Sequence, residues 1–300
     1  MPGTNSAGDD QVPVSIVIPC YNNDPSHLAQ AVGSALAQDH PCVDVVVVDD
    51  GSTRPATIEA LNGLEGVTLI RQSNRGPAAA RNSGIRAARG CVVIPLDADD
   101  WIDPQYAGEA AVKLATEEVT VAYPRLKAFE GSSYELGLRG QIPLLDFMRT
   151  SAIPVASAFR KSDWQRCGGY DESLLEGHED HEFWIRLLVV SGGVAAPVPT
   201  SVFHYRERRG SRSKERPFED DLARTRHRVV ANSTPETMEL LLRASWDYMD
   251  KQQAELTGLR QDWLYVRPRL GAVRRWLQRI VRPEALRGLR RTASRSRDDR

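Results

Sequence analysis

Five short apolar runs rich in β-branched residues alternate with four Ala- and Leu-rich stretches over residues 14–123, and this order restricts the chain to an α/β architecture. The runs are VSIVI (14–18), VDVVVV (43–48), VTLI (67–70), CVVI (91–94) and VTVAY (119–123). They are nearly continuous, the pattern of strands covered on both faces. Residues 26–38, 55–64, 77–89 and 104–116 read as helices, three of them with proline near the start, where its missing N–H matters least. The order implies a mainly parallel open sheet flanked by helices, with right-handed crossovers. Beyond Pro124 the period weakens: residues 130–141 read as loop or hairpin, residues 201–203 as strand, and residues 183–190 and 235–260 as helix.

Sheets of this kind bind ligands outside the carboxyl ends of their strands, so the segments that follow each strand carry the functional reading. They are PCYNN (19–23), DDGS (49–52), RQSNRG (71–76) and LDADD (96–100), and a later polar cluster, EGHEDHE (176–182), opens a helical pattern. Asp49 or Asp50, Asp97, Asp99, Glu179 and Asp180 would then meet at one rim, where carboxylates raise one another's pKa and resist joint ionisation. A divalent cation resolves that conflict, and an all-oxygen donor set favours Mg²⁺ or Mn²⁺ over zinc. Alternate residues of an extended segment point the same way, so Asp97 and Asp99 can reach one ion. Such ions take most of their ligands from phosphates and water, which implies a phosphorylated ligand and first of all a nucleotide. Plainer readings stand beside this one. Asp-Gly-Ser is an ordinary turn, Asp99 or Asp100 can cap the helix near Pro104, and Glu179 and Asp180 can simply favour a helix N-terminus.

The formal net charge of −1 over 300 residues excludes a uniformly basic, nucleic-acid-coating surface, and 41% hydrophobic residues exclude global disorder. The average hides two unlike parts. Residues 261–300 contain twelve arginines and four acids, a net +8, which leaves −9 on residues 1–260. Within the basic part, Leu270, Val273, Leu277 and Ile280 or Val281 share one helical face with Trp276 beside them. Such a helix can lie on an anionic membrane or pack on its own domain or a second subunit. The four cysteines form no CxxC pair, against a zinc site or disulfide framework. Residues 1–11 lack the basic and apolar regions of a secretory signal, so the expected location is the cytoplasm, with attachment to the inner membrane face open.

Residues 14–106 resemble the nucleotide-binding half of family 2 glycosyltransferases, which have the GT-A fold. The resemblance rests on SIVIPCYN (15–22), VVDDGS (47–52), NRGPAAARNSG (74–84) and LDADDWI (96–102), in that order. A second block, GGYDE (168–172) followed by Glu179, Asp180 and Trp184, is similar to the family's acceptor-side motif. Together they span residues 14–213.

The resemblance implies an α/β domain of GT-A type over residues 13–215, with a nucleotide-binding half (13–123) and an acceptor half (124–215). A helical C-terminal extension (216–290) would follow, with disordered tails at 1–12 and 291–300. Pro19, Tyr21, Asn22, Asp49, Asp50, Arg71, Gly76, Arg81, Asp97 and Ala98 would border the nucleotide sugar. Asp99, with Asp97 and His204, would hold Mn²⁺ or Mg²⁺. Asp180 would act as general base with Glu179 beside it, and Arg206 with residues 208–213 would sit in a mobile loop near the phosphates. The flanking His178 and His181 are expected to be exposed or to face the acceptor, and His204 can equally be a structural residue. The implied reaction is inverting transfer from a nucleotide-diphosphate sugar, a UDP-sugar by family habit, to a hydroxyl of a glycan, lipid-linked or small-molecule acceptor. Two rivals differ in testable ways: a nucleotidyltransferase needs a Gly-rich phosphate loop after the first strand, which PCYNN does not offer, and a non-catalytic sugar-binding module would bind donor without turnover.

Overall fold

The computed structural model describes residues 12–131, 133–147, 153–175, 177–207 and 218–280. Residues 1–11 of the expected tail at 1–12, the expected tail at 291–300 and the polar segment 208–213 lie outside the described residues. The elements follow as β1 (Val14–Cys20), α1 (Pro25–Leu36), β2 (Val43–Asp49), α2 (Pro55–Asn62), β3 (Thr68–Arg71), α3 (Pro77–Ala87), β4 (Val92–Pro95), β5 (Trp101–Ile102) and α4 (Tyr106–Leu114). Then come β6 (Val119–Glu130), β7 (Glu135–Leu136), α5 (Leu144–Phe147), β8 (Ala158–Arg160), α6 (Lys161–Cys167), α7 (Glu179–Ser191), β9 (Val194–Glu207), α8 (Phe218–Ala231) and α9 (Pro235–Ile280). Pro25, Pro55 and Pro77 open their helices, where a fixed φ is already helical.

One sheet runs in the order β3-β2-β1-β4-β8-β6-β9-β5, with β7 paired to β6. Its first four strands are parallel. In the second half β8 enters antiparallel between β4 and β6, β9 runs parallel to β6, and β5 and β7 close as antiparallel edges. The parallel register sets Cys20 beside Asp49 and Asp49 beside Arg71, so the loops after β1, β2 and β3 leave on one rim.

Burial on both faces explains the continuous apolar runs. Ile16 and Ile18 of β1 and Val45 and Val47 of β2 face one core with Leu28 of α1 and Tyr106 of α4. Val17, Val46 and Val48 face the other, with Ala80 of α3 and Phe183 and Trp184 of α7. Helix α3 approaches the sheet so closely that a Cβ at Gly84 would stand 2.4 Å from Val17 Cγ1. That close approach sets the depth of the helix that carries Arg81.

Two compact units divide the chain, Met1–Leu242 and Arg243–Arg300. The expected helical extension contributes to the first of them, since Val229 and Leu241 are buried in the core beneath α7. No helix among the described residues is long and apolar enough to cross a membrane.

Helix α7 is anchored by a buried ion pair. Arg186 donates from Nε to Glu182 Oε1 at 2.5 Å and from Nη2 to Glu182 Oε2 at 2.6 Å, and it also binds the carbonyls of Cys167 (2.6 Å) and Gly169 (2.7 Å). Glu182 is fully buried. Breaking such a pair from one side leaves a charge uncompensated, so Arg186→Met is expected to lower unfolding stability by about 3–5 kcal/mol, read from urea denaturation midpoints.

Candidate active site

Loops tied to one another by short polar side chains build the rim. Asn22 after β1 holds a left-handed backbone (φ 54°), and its Oδ1 accepts from the amides of Thr53 and Arg54, both at 2.8 Å. Asp49 Oδ1 caps its own turn through the Ser52 amide at 2.8 Å, and Oδ2 stands 3.7 Å from Arg71 Nε. Asp50 is 3% exposed and reaches across to the loop after β3. Its Oδ1 accepts from Gln72 Nε2 (2.7 Å) and the Arg75 amide (2.9 Å), and Oδ2 from the Gly76 amide (2.8 Å). The plain turn reading therefore describes what these side chains do among themselves. Asn22 and Asp50, expected to border the nucleotide, spend those oxygens on tying neighbouring loops together. Pro19 is half-buried and Tyr21 is 48% exposed on the loop after β1, while Gly76 opens α3 with φ 88°.

Arg81 joins the two halves. Its guanidinium donates from Nη2 to Asp97 Oδ1 and from Nη1 to Glu179 Oε1, both at 2.7 Å, with the Tyr170 ring 5.6 Å away. Arg81 is 2% exposed. Burial alone would make it easier to deprotonate, but the charges of Asp97 and Glu179 outweigh that and hold its pKa well above the usual arginine range. The charge-assisted bonds fix the end of β4 against the start of α7, residues far apart in sequence.

Beside this bridge the carboxylates crowd. Ala98 is buried, Asp97 and Asp99 are half-buried, and Asp100 is 1% exposed. Burial first, then the charges of Asp99 and Asp97, push the Asp100 carboxyl well up, against the opposing hydrogen bond from the Arg206 amide at 2.7 Å. Neither Asp99 nor Asp100 caps α4, whose N-cap residue is Gln105.

Two expectations, for Arg206 and His181, are corrected, and His204 is found in structural contacts. His204 points Nε2 at Asp103 Oδ1 (2.9 Å), and its ring stacks on Trp101 with 3.3 Å between centroids. Burial first lowers its pKa, with Asp103 opposing. Among the described residues no three His, Cys, Asp or Glu side chains gather into a metal site. Arg206 lies within β9 rather than in a loop: it is buried, donates from Nε to the Asp99 carbonyl (2.8 Å), and pairs with Glu130 and Gln30. His181 is 1% exposed and bonds the Phe147 carbonyl through Nε2, so it is buried rather than exposed.

Glu179 and Asp180 occupy the first turn of α7 but differ in environment. Glu179 is 5% exposed and turned into Arg81. Asp180 accepts the His181 amide at 2.8 Å, and its carboxyl is pushed up by burial first and then by Glu179, with Arg81 and His181 opposing. A cavity of about 670 Å³ borders this end of α7, lined by Leu175, His178, Arg224, His227 and Arg228 among others. A second cavity of about 750 Å³ lies elsewhere, on Asp39, Gln105 and Thr200, with no rim residue in its wall.

Asn82 went unremarked in the sequence reading. Its Oδ1 accepts from the Tyr170 amide (2.9 Å) and Trp164 Nε1 (3.1 Å), and its Nδ2 donates to the Tyr170 carbonyl (2.9 Å). Gly169 has φ 77°, and a Cβ there would stand 2.8 Å from Asn82 Oδ1. Its signal in the sequence is its place beside Arg81 within the NRGPAAARNSG block (74–84).

The family profile described as "Glycosyl transferase family 2" matches residues 15–174. The succinoglycan biosynthesis protein ExoO of Rhizobium meliloti (strain 1021) is 31% identical over 235 residues, which cover 70% of this chain and 65% of that protein. The hyaluronan synthase of Pasteurella multocida is 36% identical over 183 residues, 58% of this chain and 18% of that protein. The chain thus spans less than two thirds of either relative. Among solved structures, S. aureus TarS 1–349 in complex with UDP-GlcNAc superposes with a TM-score of 0.60 at 20% identity, over 73% of this chain and 66% of that one. That likeness bears on the fold, an α/β architecture of GT-A type.

Replacing Arg81 by Met removes the cation between Asp97 and Glu179. The Asp180 carboxyl, left with the charge of Glu179 and without that of Arg81, is expected to titrate at higher pH than in the parent chain, as read by carboxyl ¹³C NMR.

Proposed function

Because the chain belongs to glycosyltransferase family 2, we propose that it moves a sugar from a nucleotide-diphosphate sugar, a UDP-sugar in the first instance, to an acceptor hydroxyl with inversion at the anomeric carbon. The observation that carries this reading is the Arg81 bridge, which ties the donor-side Asp97 to the acceptor-side Glu179 and sets Asp180 next to the junction. Asp180 is the general base. Its raised pKa, caused first by burial and then by Glu179, makes it a stronger proton acceptor than an exposed aspartate. Glu179, neutralised by Arg81, positions that base rather than taking the proton itself. The acceptor is a glycan, a lipid-linked sugar or a small molecule, and the cavity at the N-terminus of α7 is its approach.

Asp49 at the end of β2 would receive the base of the nucleotide, with Tyr21 and Pro19 beside it and Arg71 at the outer edge. Asp97 would face the ribose and donor sugar, with the Ala98 backbone alongside. Asp99, with Asp97, would hold a Mn²⁺ or Mg²⁺ ion. The all-oxygen donors fit such an ion, the crowding around Asp100 favours positive charge there, and diphosphate and water would complete the coordination. When bound, the ion supplies charge that stabilises the departing diphosphate. The TarS structure holding UDP-GlcNAc supports uridine as the first base to try.

Three outcomes are expected in assays of donor consumption. Asp180→Asn should lower kcat by about 10²- to 10⁴-fold while donor affinity is retained. The base works deprotonated, so kcat/KM should fall as pH drops through a carboxyl pKa above the ordinary value of 3.8. Glu179→Gln removes the second cause of that rise and should move this acid limb toward lower pH. An unchanged rate in Asp180→Asn contradicts the assignment of the base.

A further inference from the structure

Helix α9 runs for 46 residues, Pro235–Ile280. A straight helix that rests one face on a flat surface repeats every 3.6 residues, so a strict seven-residue series drifts by about 20° per heptad and leaves any single stripe. From Met249 on, most large apolar residues of α9 keep the seven-residue step, with Leu264, Tyr265 and Trp276 outside it and Gln252 at the first d position. Met249, Leu256, Trp263, Leu270 and Leu277 form one series, and Leu259, Val266, Val273 and Ile280 form a second, three residues behind the first. These are the a and d positions of a heptad, and a repeat held this long imposes a left-handed supercoil around another helix. The single chain leaves the start of this seam uncovered: Met249 is 54% exposed, Leu256 60%, and the adjacent Trp246 58%.

We propose that α9 pairs, parallel and in register, with α9 of a second copy of this chain in a two-stranded coiled coil over residues 249–280. Charge decides both partner and direction. The register places Glu255 and Asp262 at g and Arg260 and Arg267 at the e positions of the heptads that follow. Parallel pairing sets each g against the next e of the other strand, so Glu255 meets Arg260 and Asp262 meets Arg267, twice each by symmetry. Only Arg269 and Arg274 oppose with like sign. Antiparallel pairing would instead set e against e, where Arg260, Arg267 and Arg274 repel. Pro268 falls at f, the position farthest from the seam, where it removes one intrahelical hydrogen bond without occupying an a or d site.

Sedimentation equilibrium on the full chain tests this. The expected mass is that of a dimer, unchanged by Ala254→Lys at an outer f position and reduced to monomer by Met249→Lys combined with Leu256→Lys. Far-ultraviolet circular dichroism of that variant separates loss of pairing from loss of folding. Glu255→Arg and Arg260→Glu should each weaken the dimer severalfold, and the double exchange E255R/R260E should restore it. With Cys42→Ser and Cys91→Ser removing the two exposed native thiols, oxidised Met249→Cys should give a covalent dimer, since parallel in-register pairing brings the two positions together and antiparallel pairing over 249–280 holds them apart. A parent chain that stays monomeric overturns the proposal. So does a monomer that binds anionic vesicles through residues 243–300, or a dimer indifferent to both seam and charge substitutions.

Discussion

Arg81 places one buried positive charge between carboxylates from two distant stretches of chain, Asp97 after β4 and Glu179 at the start of α7. Removing such a charge from water is costly, and it becomes tolerable here because both partners sit at 2.7 Å and each brings a full negative charge. The rest of the site follows from holding it there. Gly84 lets α3 lie low on β1 and β2, so the arginine reaches the rim, and Asn82 on the next position of the same helix fastens the Tyr170 turn from which the path to α7 begins. Glu182 and Arg186 then lock α7 to that turn one helical turn beyond Asp180.

The electrostatics of the rim are graded rather than uniform. Glu179 and Asp97 share the guanidinium, whereas Asp180 and Asp100 carry carboxyls that burial and neighbouring acids push upward. Paired titratable groups with diverging environments are how acid–base roles are divided within a site. At α7 such a division fits the proposed roles, positioning for Glu179 and proton transfer for Asp180. At the end of β4 it marks where added positive charge relieves the most repulsion.

The α/β order was readable because every strand of the first half is covered on both faces and therefore apolar throughout, as Ile16 and Val17 facing opposite cores illustrate. Strands β5 and β8 were not readable, being two and three residues long and held by pairing with β9, β4 and β6 rather than by any pattern of their own. Polar residues at strand ends identified the rim but not the direction of their hydrogen bonds. Asp50 and Asn22 look ligand-ready in sequence, yet their oxygens go to backbone amides of neighbouring loops. Arg206 looked like part of a basic loop because nothing local announces that β9 continues. It continues because Arg206 pairs with Phe129 of β6, and the arginine is then buried against that ring. The seven-residue step of α9 is present in the sequence, but over the last forty residues alone it is hard to separate from an ordinary amphipathic face.

Binding of a nucleotide diphosphate together with a divalent cation at this rim is the step on which the proposed transfer depends. The melting temperature of the folded chain with UDP, GDP and dTDP, each with Mn²⁺ and with chelator, reports it, since a ligand that binds only the native state raises that temperature. A rise is expected with at least one nucleotide, UDP first, that requires the metal and is lost in Asp99→Asn. No metal-dependent rise with any of the three would contradict it.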